Sequence, residues 1–221
     1  MVSYRRLQPK LALPKLTSGA LCLDFVNTVD PRHATPRREY LDSYENLLIW
    51  GTHAGAVNKS KAREMLDRAE SEPAEAKRVL ARAVELREAL YRLFASVIEG
   101  HVAPEDALDC LNRELAYALA NMKITYGREG PSWAWEETRP QLDRVLWPIV
   151  RSAADLLVEG RLDRVRECPG QGTCGWLFLD VSKNGRRQWC DMRSCGNRAK
   201  ARRHYARVRD VARAQPDTDA H

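Results

Sequence analysis

The sequence predicts an α+β chain in which helix predominates: a helical N-terminal domain with one small β-hairpin, followed by a short cysteine-rich C-terminal module. Three observations lead there. Apolar residues recur at three- and four-residue spacing through much of 74–158, a strand-like pair of segments flanks the glycines at 127 and 130, and four of the six cysteines gather in the last third.

In chain order, the first patterned segment is LCLDFVNT at 21–28. Read as strand or as helix, it buries Leu21, Leu23, Phe25 or Val26 and leaves Asp24 or Asn27 at the edge of an apolar interior. Residues 74–99 carry Val79, Leu80, Ala83, Val84, Leu90, Leu93, Phe94, Val97 and Ile98 at helical spacing and stop at Gly100, which predicts a long amphipathic helix. Pro104, Glu105 and Asp106 start another, with Leu108, Leu111, Leu115 and Leu119 facing inward. Residues 123–126 and 132–136 read as a hairpin. A third helix spans 142–158 through Ile149, Val150 and Leu156, with Pro148 kinking it or marking its real beginning. Glu159, Gly160 and Arg161 make the best boundary, so the domains are 1–160, 161–213 and a disordered acidic tail at 214–221. Cys22 and Cys110, among apolar neighbours, read as buried structural thiols.

The C-terminal module is the informative part. Cys168 and Cys174 form a C-x5-C pair, Cys190 and Cys195 a C-x4-C pair, and fifteen residues separate the pairs. Four thiolates so spaced can close a tetrahedral Zn2+ shell with no open position. Between the pairs, 176–181 and 187–190 hold strand formers, and Ser182, Lys183, Asn184 and Gly185 supply a turn with the Asn-Gly dipeptide of tight hairpins. After Cys195 no proline occurs for twenty residues and Ala, Arg and Lys dominate, so a helix starts near Cys195. Knuckle, hairpin, then a helix bringing the last ligand is a treble-clef zinc finger. Trp176, Phe178 and Trp189 are its small apolar core, since about fifty residues need a metal staple.

Charge points to the partner. Residues 161–213 hold 14 Lys plus Arg against 5 Asp plus Glu, a net of +9, whereas residues 1–160 net −1. A neutral body with one basic module is the footprint of a polyanion binder. Arg198, Lys200, Arg202, Arg203, Arg207 and Arg209 meet only Asp210 on the helix, and Lys183, Arg186, Arg187 and Arg193 extend the basic surface. On a helical wheel Arg198, Arg202, Arg209 and Arg213 share a sector with Tyr205, while Lys200, Arg203 and Arg207 lie nearly opposite. Charge on both flanks suits a helix embedded in the major groove of duplex DNA, with opposite flanks toward opposite strands.

The run CGWLFLDVSKNGRRQWCDMRSCGNRAKARRHY at 174–205 resembles the CGNR-type zinc finger, named for the residues that stand here as Cys195, Gly196, Asn197 and Arg198. The LCLDFVNT segment resembles the opening motif of the ABATE domain, which precedes that finger in a bacterial family assigned to stress-induced transcription regulation. The resemblance implies a helix-rich N-terminal domain, zinc held by Cys168, Cys174, Cys190 and Cys195, and DNA binding. One departure is Gly175, between the second cysteine and Trp176, which bears on how the Trp packs.

Asp24 and Asn27 admit two readings: a capping or turn role, or the lining of a pocket for a small-molecule effector, with Arg37, Arg38 and Trp50 as possible contributors. Enzyme chemistry finds little support. His33, His53, His101, His204 and His221 show no ligand spacing, no phosphate loop or hydrolase motif occurs, and four thiolates leave no place for an activated water. Residues 1–16 have basic residues but an apolar stretch broken by Pro9, Lys10, Pro14 and Lys15, so the expected address is cytoplasmic, with no membrane span. The expectation is a zinc-dependent DNA-binding transcription regulator, with homodimerisation open. The alternative is a zinc-finger adaptor for protein or structured RNA, for which only Tyr205 offers an exposed stacking ring.

Overall fold

The computed structural model describes residues 7, 12–136, 141–159 and 161–214. Seven α-helices and three two-stranded antiparallel sheets occur among them: α1 (Leu21–Val26), β1 (Val29–Asp30), β2 (Arg38–Glu39), α2 (Tyr44–His53), α3 (Lys59–Ser71), α4 (Pro73–Ile98), α5 (Glu105–Ala120), β3 (Met122–Gly127), β4 (Gly130–Trp135), α6 (Trp147–Val158), β5 (Val165–Glu167), β6 (Leu177–Leu179) and α7 (Asn197–Ala214). The sheets pair β1 with β2, β3 with β4, and β5 with β6.

The long helix α4 is the hub. Pro73 in its first turn sets φ where no intrahelical N–H bond is due. Its stripe of Val79, Ala83, Leu86, Leu90, Leu93 and Phe94 is buried, and α1, α2, α3 and α5 all pack on it. The shorter helices α2 and α3 owe their starts to side-chain caps: Ser43 Oγ accepts from the Asn46 N–H and Asn58 Oδ1 from the Lys61 N–H. The six-residue α1 resolves the ambiguity of LCLDFV in favour of helix, with Cys22, Leu23, Phe25 and Val26 fully buried against α4, α6 and β6. Burial on nearly all sides erases the periodicity that separates helix from strand. Cys22 and Cys110 are buried thiols; desolvation pushes Cys22 up to about 12 and raises Cys110 as well.

Two helical expectations need correction. On α5, Leu111 is buried, but Leu108 and Leu119 are 39% and 47% exposed. The inward stripe is Ala107, Cys110, Leu111, Glu114 and Ala118, whose small residues let α5 approach α4 closely while Glu114 takes a bidentate pair from Arg82 at 3.0 and 2.7 Å. The expected 142–158 helix begins only at Trp147, with Pro148 in its first turn; the preceding turns still bury Leu142, Val145 and Leu146.

In the cysteine-rich part the hairpin lies elsewhere than expected. β6 pairs not with 187–190 but with β5, which precedes the first cysteine, in the register Val165↔Leu179, Arg166↔Phe178 and Glu167↔Leu177. No strand forms at 187–190. Asp180 takes over there: Oδ1 accepts from the Ser182 N–H at 2.9 Å and Oδ2 from the Arg187 N–H at 3.0 Å, which closes the 182–185 turn through a side chain. The Ser182 hydroxyl and these amides hold the Asp180 carboxyl below its ordinary value.

Alternation along β6 joins two cores. Leu177 faces the helices, and with Val165 belongs to the same apolar cluster as α1, α4 and α6. Phe178 faces the other way, into a second cluster with Trp176 and the four cysteines. Gly160, the centre of the expected boundary, lies outside the described residues, and the helical core reaches past it into β5 and β6.

Candidate metal centre and basic helix

The knuckle between β5 and β6 is closed by backbone bonds, Cys168 N–H to Trp176 O at 2.8 Å and Gly175 N–H to Cys168 O at 3.2 Å, and this aims Cys168 and Cys174 at one point. A turn at Met192–Gly196, capped by Asp191 accepting from the Arg193 N–H, brings Cys195 to the same point, and Cys190 comes from the preceding loop. All four sulfurs lie within 4.8 Å of one another, with Cys174–Cys190 and Cys190–Cys195 at 3.7 Å. A tetrahedron with Zn–S bonds near 2.3 Å has edges of roughly 3.8 Å, so spacing and donor type fit one structural Zn2+. Hydrogen bonds from Cys174 and Cys190 draw the Cys168 thiol far down, and the same bonds to Cys168, with burial behind them, drive Cys174 and Cys190 up. A divalent cation is what allows four such close thiolates to coexist.

The residues after Cys195 each have a local reason. A Cβ on Gly196 would stand 2.4 Å from the sulfur of Met192, so a larger residue requires that half-exposed side chain to move. The Asn197 amide donates to Arg193 O at 3.3 Å across the turn. Arg198 donates to the Cys195 sulfur at 3.2 Å, a charge-assisted bond to a ligand, and that thiol raises the guanidinium's pKa. On the knuckle, Gly170 has φ +36° and its Cβ would meet the Cys174 Cβ at 2.0 Å.

The knuckle is fastened to the N-terminal part. Arg32 N–H donates to Cys174 O at 2.9 Å and His33 N–H to Thr173 O at 3.0 Å, while the Trp176 indole donates to Val29 O at 3.1 Å. This explains Gly175: at φ +66° its missing Cβ leaves room for His33 and Arg32, which would otherwise lie 2.6 and 2.8 Å away. Further out, His33 Nε2 lies 2.7 Å from Glu167 Oε1, and the Tyr91 hydroxyl donates to Glu167 Oε2 at 3.2 Å.

Asn27 belongs to this joint. Fully buried, it donates through Nδ2 to Leu177 O at 2.8 Å and to Ser18 Oγ at 2.7 Å, and its Oδ1 accepts from the Leu177 N–H at 2.9 Å. The side chain thus bonds β6 as a neighbouring strand would, leaving its amide no free site for an effector. Asp24 accepts from the Ser18 N–H at 3.0 Å, and burial raises its pKa. Both take the structural reading. Trp50, fully buried in the helical core, is likewise a packing residue. Nothing in the sequence marks Ser18 or Leu177 as partners of Asp24 and Asn27, since these meet only in the fold.

The basic residues divide into two groups. Arg187 is withdrawn from solvent contacts by Trp189 O at 2.9 Å, Thr17 O at 2.8 Å and Cys190 O, with its guanidinium carbon 4.5 Å from the Phe178 ring centre. Arg198, itself exposed, likewise bonds within the finger, to the Cys195 sulfur. Lys183, Arg186, Arg193, Lys200, Arg202, Arg203, Arg207 and Arg209 are exposed. On α7 only Ala199 is buried among residues 197–210, and helix contacts concentrate on the Met192–Gly196 turn. From Lys200 to Asp210 the helix has no buried residue and carries cations on both flanks.

A cavity of about 230 Å³ lies beside the cysteines, walled by Pro14, Lys15, Asp30, Arg38, Tyr40 and Trp176, and Arg198 reaches into its lining. No helix among the described residues is long and apolar enough to cross a membrane.

Comparison with known families covers both parts of the chain. A family model described as "ABATE: Putative stress-induced transcription regulator" matches residues 19–160, and one described as "CGNR zinc finger" matches residues 164–208. No curated protein matches the chain significantly.

Proposed function

The chain belongs to the ABATE family, and from that premise we propose that this zinc-finger regulator acts by gripping duplex DNA through α7. The observation that carries the reading is the state of that helix. It is anchored at its first turn to a zinc ligand, buries only Ala199 among residues 197–210, and presents Lys200, Arg202, Arg203, Arg207 and Arg209 to solvent on opposite flanks. Helices in proteins draw most of their stability from a packed face, which this one lacks over residues 200–210, and like charges weaken it further. A major groove, about 12 Å wide and walled by two phosphate strands, neutralises both flanks at once. Lys183, Arg186 and Arg193 extend the phosphate contacts from the finger loop.

Zinc in this scheme is structural. Four thiolates saturate it, so no catalytic water is invoked and no reaction is assigned. A small effector, if the regulator responds to one, fits better in the cavity beside Arg38, Tyr40 and Trp176 than at Asn27. Binding there touches β1, β2 and the finger together, which is what coupling a sensor to α7 requires.

The test is the salt dependence of duplex binding by the zinc-loaded full chain, followed by fluorescence anisotropy. Five helix cations on phosphates give a log–log slope of about −4.5, rising toward roughly −7 if the three loop cations join. Absence of duplex binding at low salt, with capture of RNA or a protein instead, overturns the reading in favour of an adaptor.

A further inference from the structure

The β3–β4 hairpin is amphipathic by register. The pairs Met122↔Trp135, Ile124↔Trp133 and Tyr126↔Pro131 put these six residues on one face, while Lys123, Thr125, Ser132 and Ala134 take the other. The base of the apolar face is docked: Trp135 packs on Trp147 with ring centres 5.6 Å apart, and Arg151 of α6 donates to the Met122 sulfur at 3.3 Å. The outer half is open to solvent. Ile124 is 65% exposed, Tyr126 84% and Trp133 56%. Two-stranded ribbons are marginal without a packed face, and strand positions that stay in water are ordinarily polar.

We propose that this face is a dimerisation surface whose occupant is the same face of a second copy of this chain, related by a two-fold axis. Area supports it. With aromatic side chains of 150–250 Å² each, the exposed fractions of Tyr126, Trp133 and Ile124 amount to roughly 400 Å² per copy. Doubling this and adding a polar rim brings the contact to about 1,000 Å², the lower bound for a specific interface. Charge supports it too. The rim holds Arg128 and Glu129 at the turn, and Arg151, its guanidinium carbon 5.4 Å from the Trp133 ring centre, is paired with Asp155 at 3.6 Å; the charges balance with both signs present, which suits a self-complementary contact and recruits neither a strongly acidic nor a strongly basic partner. Stacked face to face, two hairpins form a four-stranded sandwich in which Tyr126 and Trp133 of each copy cover the other's. The pair then carries two α7 helices, but the contact itself needs no DNA.

Sedimentation equilibrium of the zinc-loaded full chain without DNA tests this apart from any nucleic-acid activity. Small interfaces of this kind dissociate in the micromolar range, so between about 1 and 200 µM the mass should move from one chain toward two. Tyr126→Glu and Ile124→Glu each juxtapose like charges across the axis and should weaken association at least about tenfold, while Ser132→Glu on the opposite face should not. The chain's total tryptophan emission, to which exposed Trp133 contributes, should shift to the blue with concentration in the wild type and stay constant in the two weakened variants. A mass of one chain throughout, or association that Tyr126→Glu and Ile124→Glu leave unchanged, overturns the proposal. Equal weakening by Ser132→Glu does so as well.

Discussion

Replacing Asn27 by Ala should cost more than its single short side chain suggests. Asn27 satisfies both the N–H and the carbonyl of Leu177, and every residue concerned is fully buried. Ala leaves these two backbone groups without partners, at about 1–3 kcal/mol each, and the Ser18 oxygen loses the donor it accepted from. The worked loss is about 3 kcal/mol or more, which for a chain of this size lowers Tm by roughly 6–12 °C. Asn27→Asp should not rescue it, since a carboxylate keeps the acceptor for the Leu177 N–H but sets a second oxygen against the Leu177 carbonyl in a buried site. Thermal and urea unfolding of the zinc-loaded protein measure the loss, and hydrogen exchange at the Leu177 amide locates it. If Asn27→Ala unfolds within about 0.5 kcal/mol of wild type and Leu177 stays protected, the strut between α1 and β6 is not what holds the finger in place. An effector role for Asn27 would then regain ground.

Two further outcomes follow from the same geometry. Arg198→Ala removes a bond to the Cys195 sulfur rather than a phosphate contact, so it should speed zinc transfer to a chromophoric chelator by about tenfold or more and leave the salt slope of DNA binding nearly unchanged. Lys200→Ala or Arg203→Ala should do the reverse, reducing the slope by about 0.9 with zinc retention intact. A chain cut after residue 160 loses Val165 and Leu177 from the helical core and the partners of Asn27; it should bind hydrophobic dye and unfold over a broad range. Sharp cooperative melting of that fragment would show the helical part to be self-sufficient, as its charge balance and apolar stripes predict.

What was legible in the sequence had local causes. The helix α4 announced itself because its stripe repeats for about five turns, and α5 and the β3–β4 hairpin because Pro104 and the Gly127/Gly130 turn punctuate them. The four zinc ligands were legible for a similar reason: thiolate chemistry restricts the donor types, and short spacings bring the pairs together whatever the rest of the chain does. The basic character of α7 is a matter of composition and needed no fold.

The remainder depended on which segments meet. Arg187 and Arg198 look like the other arginines of the finger in sequence, yet carbonyls from Thr17, Trp189 and Cys190 and the Cys195 sulfur claim them. Strand-forming residues at 187–190 predicted a ladder that Asp180 replaced with side-chain bonds. The inward face of α5 rotated off its leucines because Glu114 found Arg82 and small residues fitted against α4. The change of charge near residue 160 is local to the sequence, whereas the bonds between Asn27 and Leu177, 150 residues apart, cross that point only in space. Periodicity and spacing report what a segment wants to bury or bind; the partner that satisfies it comes from elsewhere in the chain, and a long-range contact leaves no mark in the local pattern of either participant.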